Sequence, residues 1–168
     1  METIQTSKAD ALKLFGTTDA KGKQLLKKLF PEITFESILN KPSTWEGICK
    51  AAKLDPVKDL PFPKSKNDRQ DGANAFFQWS LIREVLNAGK DADWGNPGEA
   101  KWVLWPDVVK DSAKPSGFGL SYRDCVNTDA DTVAGARLSF HRKEDAKFAF
   151  DNFQTILEKL LLINKSEK

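Results

Sequence analysis

The chain has 168 residues, 40% hydrophobic and 30% charged, enough apolar material for a core and too much for a disordered or fibrous protein. Lys and Arg total 26 against 24 Asp and Glu, a net of +2 spread over both halves, which does not indicate a dominant phosphate-binding surface. One histidine and two cysteines put most metal sites and histidine-dependent triads out of reach, and no apolar run approaches the roughly 20 residues that span a bilayer.

The first ten residues, METIQTSKAD, lack an apolar h-region, so no cleaved secretory signal is expected. Cys49 and Cys125, far apart and without a CxxC partner, read as free, partly buried thiols. Ser7 with Asp10 suits the cap of a first short helix carrying Ala11, Leu12, Leu14 and Phe15 and ended by Gly16. Thr17 or Thr18 is placed to cap a second helix with Leu25, Leu26, Leu29 and Phe30, stopped by Pro31. The run Thr34 to Leu39 is too short for periodicity to decide. Ser43 and Glu46 form a capping-box pattern that opens a helix to about Leu54.

Pro56, Pro61 and Pro63 mark residues 55–71 as an ordered, proline-stiffened loop. A strong helix is expected from Gly72 or Ala73 to about Ala88, with Ala75, Trp79, Ile82 and Leu86 on one face and Gly89 as its stop. Residues 102–109 are β-branched and aromatic but contain Pro106, which suits an edge or bent strand. A turn at 114–117 leads to alternating Phe118, Leu120 and Tyr122, a second turn spans 127–131, and Val133 to Phe140 reads as a third strand. The chain closes with its clearest helix, 143–163. Its seam is Ala146, Phe150, Phe153, Leu157 and Leu160, widened by Ala149, Ile156 and Leu161. The expected fold is a single α+β domain: a helical part over about 1–90, a small antiparallel sheet near 102–140, and a long helix packed on it.

Four local patterns point weakly to chemistry. Gly16 to Gln24 resembles a phosphate loop, but five residues separate Gly16 from Gly22 and Gln24 replaces the hydroxyl, so helix capping explains it better. Lys21, Lys23, Lys27 and Lys28 make the second helix basic, as in a DNA-reading helix pair, yet its flanks are not basic. Asn127, Asp129 and Asp131 have the spacing that opens a calcium loop, but Thr132 replaces the glycine and Leu138 the closing glutamate. His141 lies just before the last helix, where a capping or surface role fits better than a general base.

The aromatics are more informative. Trp94, Trp102 and Trp105 precede Tyr122, with Arg123 and Arg137 near predicted strands. Flat rings and guanidinium groups together suit a binding surface; a tryptophan-rich core under the terminal helix explains the rings better, but this is where a pocket is to be sought. These six residues are the candidate binding site. No catalytic residue, metal ligand or cofactor is assigned.

Several stretches in order resemble a family of small uncharacterised proteins encoded by phages and prophages of Bacteroides and related bacteria. They are residues 11–30, TWEGICKAAKL (44–54), NAFFQWSLIREVLNAGKDADW (74–94), SGFGLSY (116–122) and GARLSF (135–140), followed by the terminal helix. Lys90 and Ala136 stand where Trp and Ser are common in that family. The resemblance implies a phage setting and carries over no catalytic residue. The expectation is a non-enzymatic binding protein in the cytoplasm of the bacterial host. It would act on the host, including as an inhibitor of a defence system, or accompany the virion, with a protein as partner. The alternatives are a nucleic-acid or nucleotide binder using Trp and Arg side chains, and an enzyme whose site the sequence does not reveal.

Overall fold

The computed structural model describes residues 11, 14–15, 18–31, 41–90, 93, 95–96, 98–128 and 136–163. The cap at Ser7, Leu12, Gly16, Thr17, the 34–39 run, Trp94 and the segment 129–135 lie outside them. The chain forms two compact units, Met1–Lys41 and Pro42–Lys168. Four α-helices and a two-stranded antiparallel sheet are described: α1 (Ala20–Leu29), α2 (Trp45–Ala52), α3 (Asp68–Leu86), β1 (Lys101–Lys110), β2 (Phe118–Thr128) and α4 (Lys143–Leu161). This is the expected α+β class.

In the first unit, α1 is capped by Asp19 rather than Thr17 or Thr18. The Asp19 carboxylate accepts from the Gly22 N–H at 2.9 Å. A Cβ at Gly22 would collide with the Thr18 hydroxyl, so glycine suits this position. Leu26 packs with Ala11, Phe15 and Phe30, while Leu25 and Leu29 are exposed.

In the second unit, Thr44 and not Ser43 caps α2, its hydroxyl accepting from Gly47 N–H at 3.1 Å. The helix stops at Ala52, short of Leu54, because Lys53 turns left-handed at φ 60° and the Leu54 N–H bonds back to Cys49 O. The proline-rich loop is held in two places. Trp45 Nε1 donates to Pro56 O, and buried Asn74 exchanges two 2.9 Å bonds with the Phe62 backbone. α3 begins at Asp68, earlier than Gly72, because Asn67 accepts from Gln70 N–H and so supplies the cap. Ala75, Trp79, Ile82 and Leu86 are buried as expected, while Phe76 is exposed.

α3 ends in a Schellman motif, with Ala88 N–H on Val85 O and Gly89 N–H on Glu84 O. The left-handed position proper is Ala88, at φ 55°, so the glycine expected to end the helix stands one residue late.

β1 and β2 form a hairpin whose turn uses Gly117 at φ 76°. Between Trp105 and Asp107 the register slips: Trp105 faces Asp124, but Asp107 faces Ser121. Tyr122 and Arg123 therefore share the space opposite Pro106, a β-bulge in β2. The Trp102 backbone points outward to pair with Phe140, two bonds of 2.8 Å, so by alternation Pro106 also points outward. Its missing N–H costs no ladder bond and blunts that edge. The third strand expected over 133–140 is reduced among the described residues to this single bridge, preceded by a 3-10 turn at Ala136–Leu138.

α4 packs against α3 and against the hairpin. The ideal Cβ position of Gly72, early in α3, lies 3.7 Å from the Lys159 carbonyl late in α4. At the other end, Asn87 bonds Ser139 O and His141 N–H, so α3 and α4 run antiparallel. Ala146, Ala149, Phe150, Phe153 and Leu157 are buried as the seam requires, but Leu161 is exposed. α4 kinks at Phe153 (φ −127°, ψ 26°). Next to the kink, Asn152 Nδ2 donates to Phe148 O, the carbonyl that its own backbone N–H would otherwise use, and such side-chain competition bends helices. Beyond the kink, Gln154 donates to Leu120 O while Glu158 accepts from Leu120 N–H and Lys114 Nζ. These two side chains satisfy the outward backbone groups of Leu120 on the β2 edge.

Two stability predictions follow from this packing. Phe153→Ala is expected to cost about 3–5 kcal/mol in urea denaturation, as large buried aromatics do; a loss below about 1 kcal/mol contradicts the packing described. Ala88→Gly is expected to raise stability by about 0.5–1 kcal/mol by removing left-handed strain from a residue with a Cβ.

Candidate functional site

The structure separates the candidate aromatics by strand face. Alternation along β1 puts Trp102 and Leu104 on the side packed against the core, with Tyr122 and Cys125 from β2. Val103, Trp105, Asp107 and Val109 take the opposite side, with Val126 across from Val103. That outer face is open: Trp105 is 55% exposed, and Val109 and Val126 are also exposed.

Trp102 and Tyr122 are therefore framework residues. Lys143 Nζ stands 5.7 Å from the Trp102 ring centre and 2.7 Å from an Asp124 oxygen. Tyr122 meets Phe150 edge-on at 5.5 Å, and Lys147 Nζ lies 4.4 Å above its ring while also bonding Asp151. Both lysines meet a carboxylate while covering an aromatic face. The Lys143 ammonium holds the Asp124 carboxyl below its ordinary range, helped by the Cys125 N–H.

Arg123 comes next to Asp124, the register partner of Trp105, and its guanidinium reaches Asp107 at 3.3 Å. Both ends of this pair are exposed, so it contributes little to stability and can exchange for a partner's charge. Arg137 is exposed in the 3-10 turn. Of the six candidates, Trp105 and Arg123 thus share an exposed surface, while Trp94 lies outside the described residues. Val103, Val109, Val126 and Asp107 complete this surface and were not singled out from sequence. The parity Val103–Trp105–Asp107–Val109 was there to find, but the two faces look equally apolar until α4 is placed.

Other sequence patterns resolve as structure. Gly22 lies inside α1, not in a phosphate loop. Lys23 and Lys27 stand over the Phe15 ring at 5.7 and 5.9 Å. Asn127 Oδ1 accepts the Lys101 N–H, which commits that side chain within the fold, while Asp129 and Asp131 lie outside the described residues. No group of three His, Cys, Asp or Glu side chains suited to a metal occurs among the described residues, nor any helix long and apolar enough to cross a membrane.

Both cysteines are free and fully buried rather than partly buried. Burial, with Glu46, Asp55 and Asp59 adding to it, pushes the Cys49 thiol up to about 11. Burial also raises Cys125, opposed by the Tyr122 hydroxyl 3.4 Å away and by Lys143. Burial raises Tyr122 in turn. These groups are neutral at physiological pH and are poor nucleophiles there.

The Cys49 shift has a pH consequence. Between its ordinary value of 9.0 and about 11, the folded chain keeps a proton that the unfolded chain releases. Stability is therefore unaffected below about pH 8 and falls as pH rises through this window. Urea denaturation of the parent and Cys49→Ala at about pH 8 and about pH 10.5 checks this. The parent is expected to lose on the order of 2 kcal/mol more than the variant. No family model matches the chain, and no curated protein or solved structure matches it.

Proposed function

We propose that the chain is a non-enzymatic, phage-encoded binding protein that contacts a protein partner through the outer face of the β1–β2 hairpin. The observation that carries this reading is Trp105, more than half exposed on the face that α4 leaves uncovered. Val103 and Val109 lie along the strand from it, Val126 lies across the hairpin, and the Arg123–Asp107 pair stands alongside. Tryptophan and arginine at the centre of such a patch are the side chains that concentrate binding energy, because each buries a large area and retains a polar handle. A partner adding a strand is disfavoured, since Pro106 lacks the N–H on one edge and Gln154 and Glu158 occupy Leu120 on the other. The partner therefore rests on the face.

The phage setting comes from the sequence resemblance alone, and with it the proposed place of action in the host cytoplasm. Interference with a host protein, including one of a defence system, fits a small contact surface on a stable scaffold, as does attachment to a virion. The non-enzymatic reading is supported by the nearby weak acids, Tyr122 and Cys125, being held neutral by burial. A nucleotide or single-stranded nucleic acid is the second reading, favoured by the exposure of Trp105 and Arg123 together, which suits base stacking with phosphate pairing.

Trp105→Ala is expected to abolish capture of the partner by the tagged protein from infected cells, with the thermal midpoint within about 2 °C of the parent. Capture unchanged by this folded variant overturns the assignment of the surface. Fluorescence titration with single-stranded DNA separates the two readings. Weak binding that is lost at high salt fits the small net charge, whereas nanomolar binding that persists at high salt overturns the protein-partner reading.

A further inference from the structure

The connection from α3 to β1 is fastened by a polar cluster that the binding surface does not use. Glu99 Oε1 lies 3.2 Å from His141 Nδ1, and Glu99 Oε2 accepts the Asp93 N–H at 2.6 Å. Lys101 is almost fully buried. Its Nζ donates to the carbonyls of Asn96 and Glu99 at 3.1 and 3.0 Å and stands 3.6 Å from Glu99 Oε2. The second ring nitrogen of His141, Nε2, lies 3.2 Å from the Lys90 carbonyl. The His141 backbone N–H is held by Asn87 Oδ1 at the end of α3.

Both ring nitrogens thus face oxygens that can only accept. An imidazolium donates from both nitrogens and satisfies both oxygens; a neutral imidazole has one N–H and one lone pair. We propose that His141 is the pin of a pH-sensitive clasp: its protonated ring ties the Lys90 carbonyl and the Glu99 carboxylate together, and loss of the proton releases the Lys90 end. The choice of end follows from charge. The remaining N–H stays at Nδ1, where it faces a carboxylate, because a lone pair pointed at the negative Glu99 is worse than one pointed at a neutral carbonyl.

Among the described residues, the groups facing the ring from its neighbouring elements are these. Glu99 favours the charged ring. Lys101, from β1, opposes it, but its ammonium sits nearer Glu99 Oε2 and the two carbonyls, leaving Oε1 to the histidine. From α3 comes the neutral Asn87. At the start of α4, Arg142 is turned away into a two-bond pair with buried Asp145. The Lys90 end is also where release has something to relax. Two residues earlier the chain leaves α3 through Ala88 at φ 55°, a conformation that strains a residue with a Cβ.

NMR of the uniformly labelled full chain between about pH 5 and about pH 8 tests the clasp. At the acid end, both His141 ring nitrogens are expected to carry protons. As pH rises, the Lys90 carbonyl carbon shift is expected to change with the same midpoint as the ring, and the neutral ring is expected to keep its proton on Nδ1. In His141→Gln, which has a single amide donor group and no titration, the Lys90 carbonyl shift is expected to stay constant with pH. A Lys90 carbonyl that ignores the titrating ring, or a neutral ring protonated on Nε2, overturns the proposal. The ring nitrogens of the parent decide the matter even if the variant does not fold.

Discussion

A two-stranded hairpin buries too little surface to hold itself together in water, and the second unit is organised around covering it. α4 does this in two ways. Its seam of Phe150, Phe153 and Leu157 joins Leu120 and Cys125 in a core shared with Trp79, Ile82 and Leu86 of α3. Its polar flank, Gln154 and Glu158, occupies the outward backbone groups of Leu120. The kink at Phe153 lies between these two duties, where Asn152 takes a backbone carbonyl for its side chain. The other edge of the sheet is closed at one end by Phe140 and blunted in the middle by Pro106.

With one face covered and both edges managed, the outer face is the part of the hairpin left over, and it is only partly polar. In a typical one-sided sheet the solvent face carries charged and polar residues. Here Val103, Trp105, Val109 and Val126 stand among Asp107, Ser121 and Asp124, with Arg123 alongside. Lys143 and Lys147 of α4 each bridge an acid and an aromatic ring. These contacts fasten the Trp102 and Tyr122 rings to the scaffold, while Trp105 is the most exposed aromatic among the described strand residues. The apolar outer strip also has a boundary. Lys101, which shares its parity, is buried with its Nζ on the carbonyls of Asn96 and Glu99, so the polar cluster ends the strip at one side.

Much of the framework was legible in the sequence. Helical periodicity placed Ala75, Trp79, Ile82 and Leu86 of α3 and Ala146, Phe150, Phe153 and Leu157 of α4 in the core, because a stripe that repeats every three to four residues must be buried on one side. Pro106 announced an irregular strand, since a missing N–H fits only an edge or a bulge. The helix ends were less legible. Asp19, Thr44 and Asn67 cap where their neighbours were equally eligible, because a cap depends on which side chain the incoming backbone aims at the first turn. Ala88 turns left-handed one residue ahead of Gly89, which is also at positive φ, because the packing of α3 fixes where its last turn closes.

What the sequence by itself determined is therefore the inventory and the spacing: an α+β chain, two long helices each with an apolar stripe, a strand pair with a proline in it, and a concentration of Trp, Tyr and Arg from residue 94 onward. Only the tertiary structure decided which rings are core and which are surface. Trp102 and Trp105 are both tryptophans in one strand, three residues apart. Their opposite fates follow from the pleat and from the side on which α4 lands, and local sequence encodes the first but not the second. The same holds for His141. Its two acceptors, Glu99 and Lys90, are 42 and 51 residues away along the chain, and it meets them because α3 and α4 pack antiparallel.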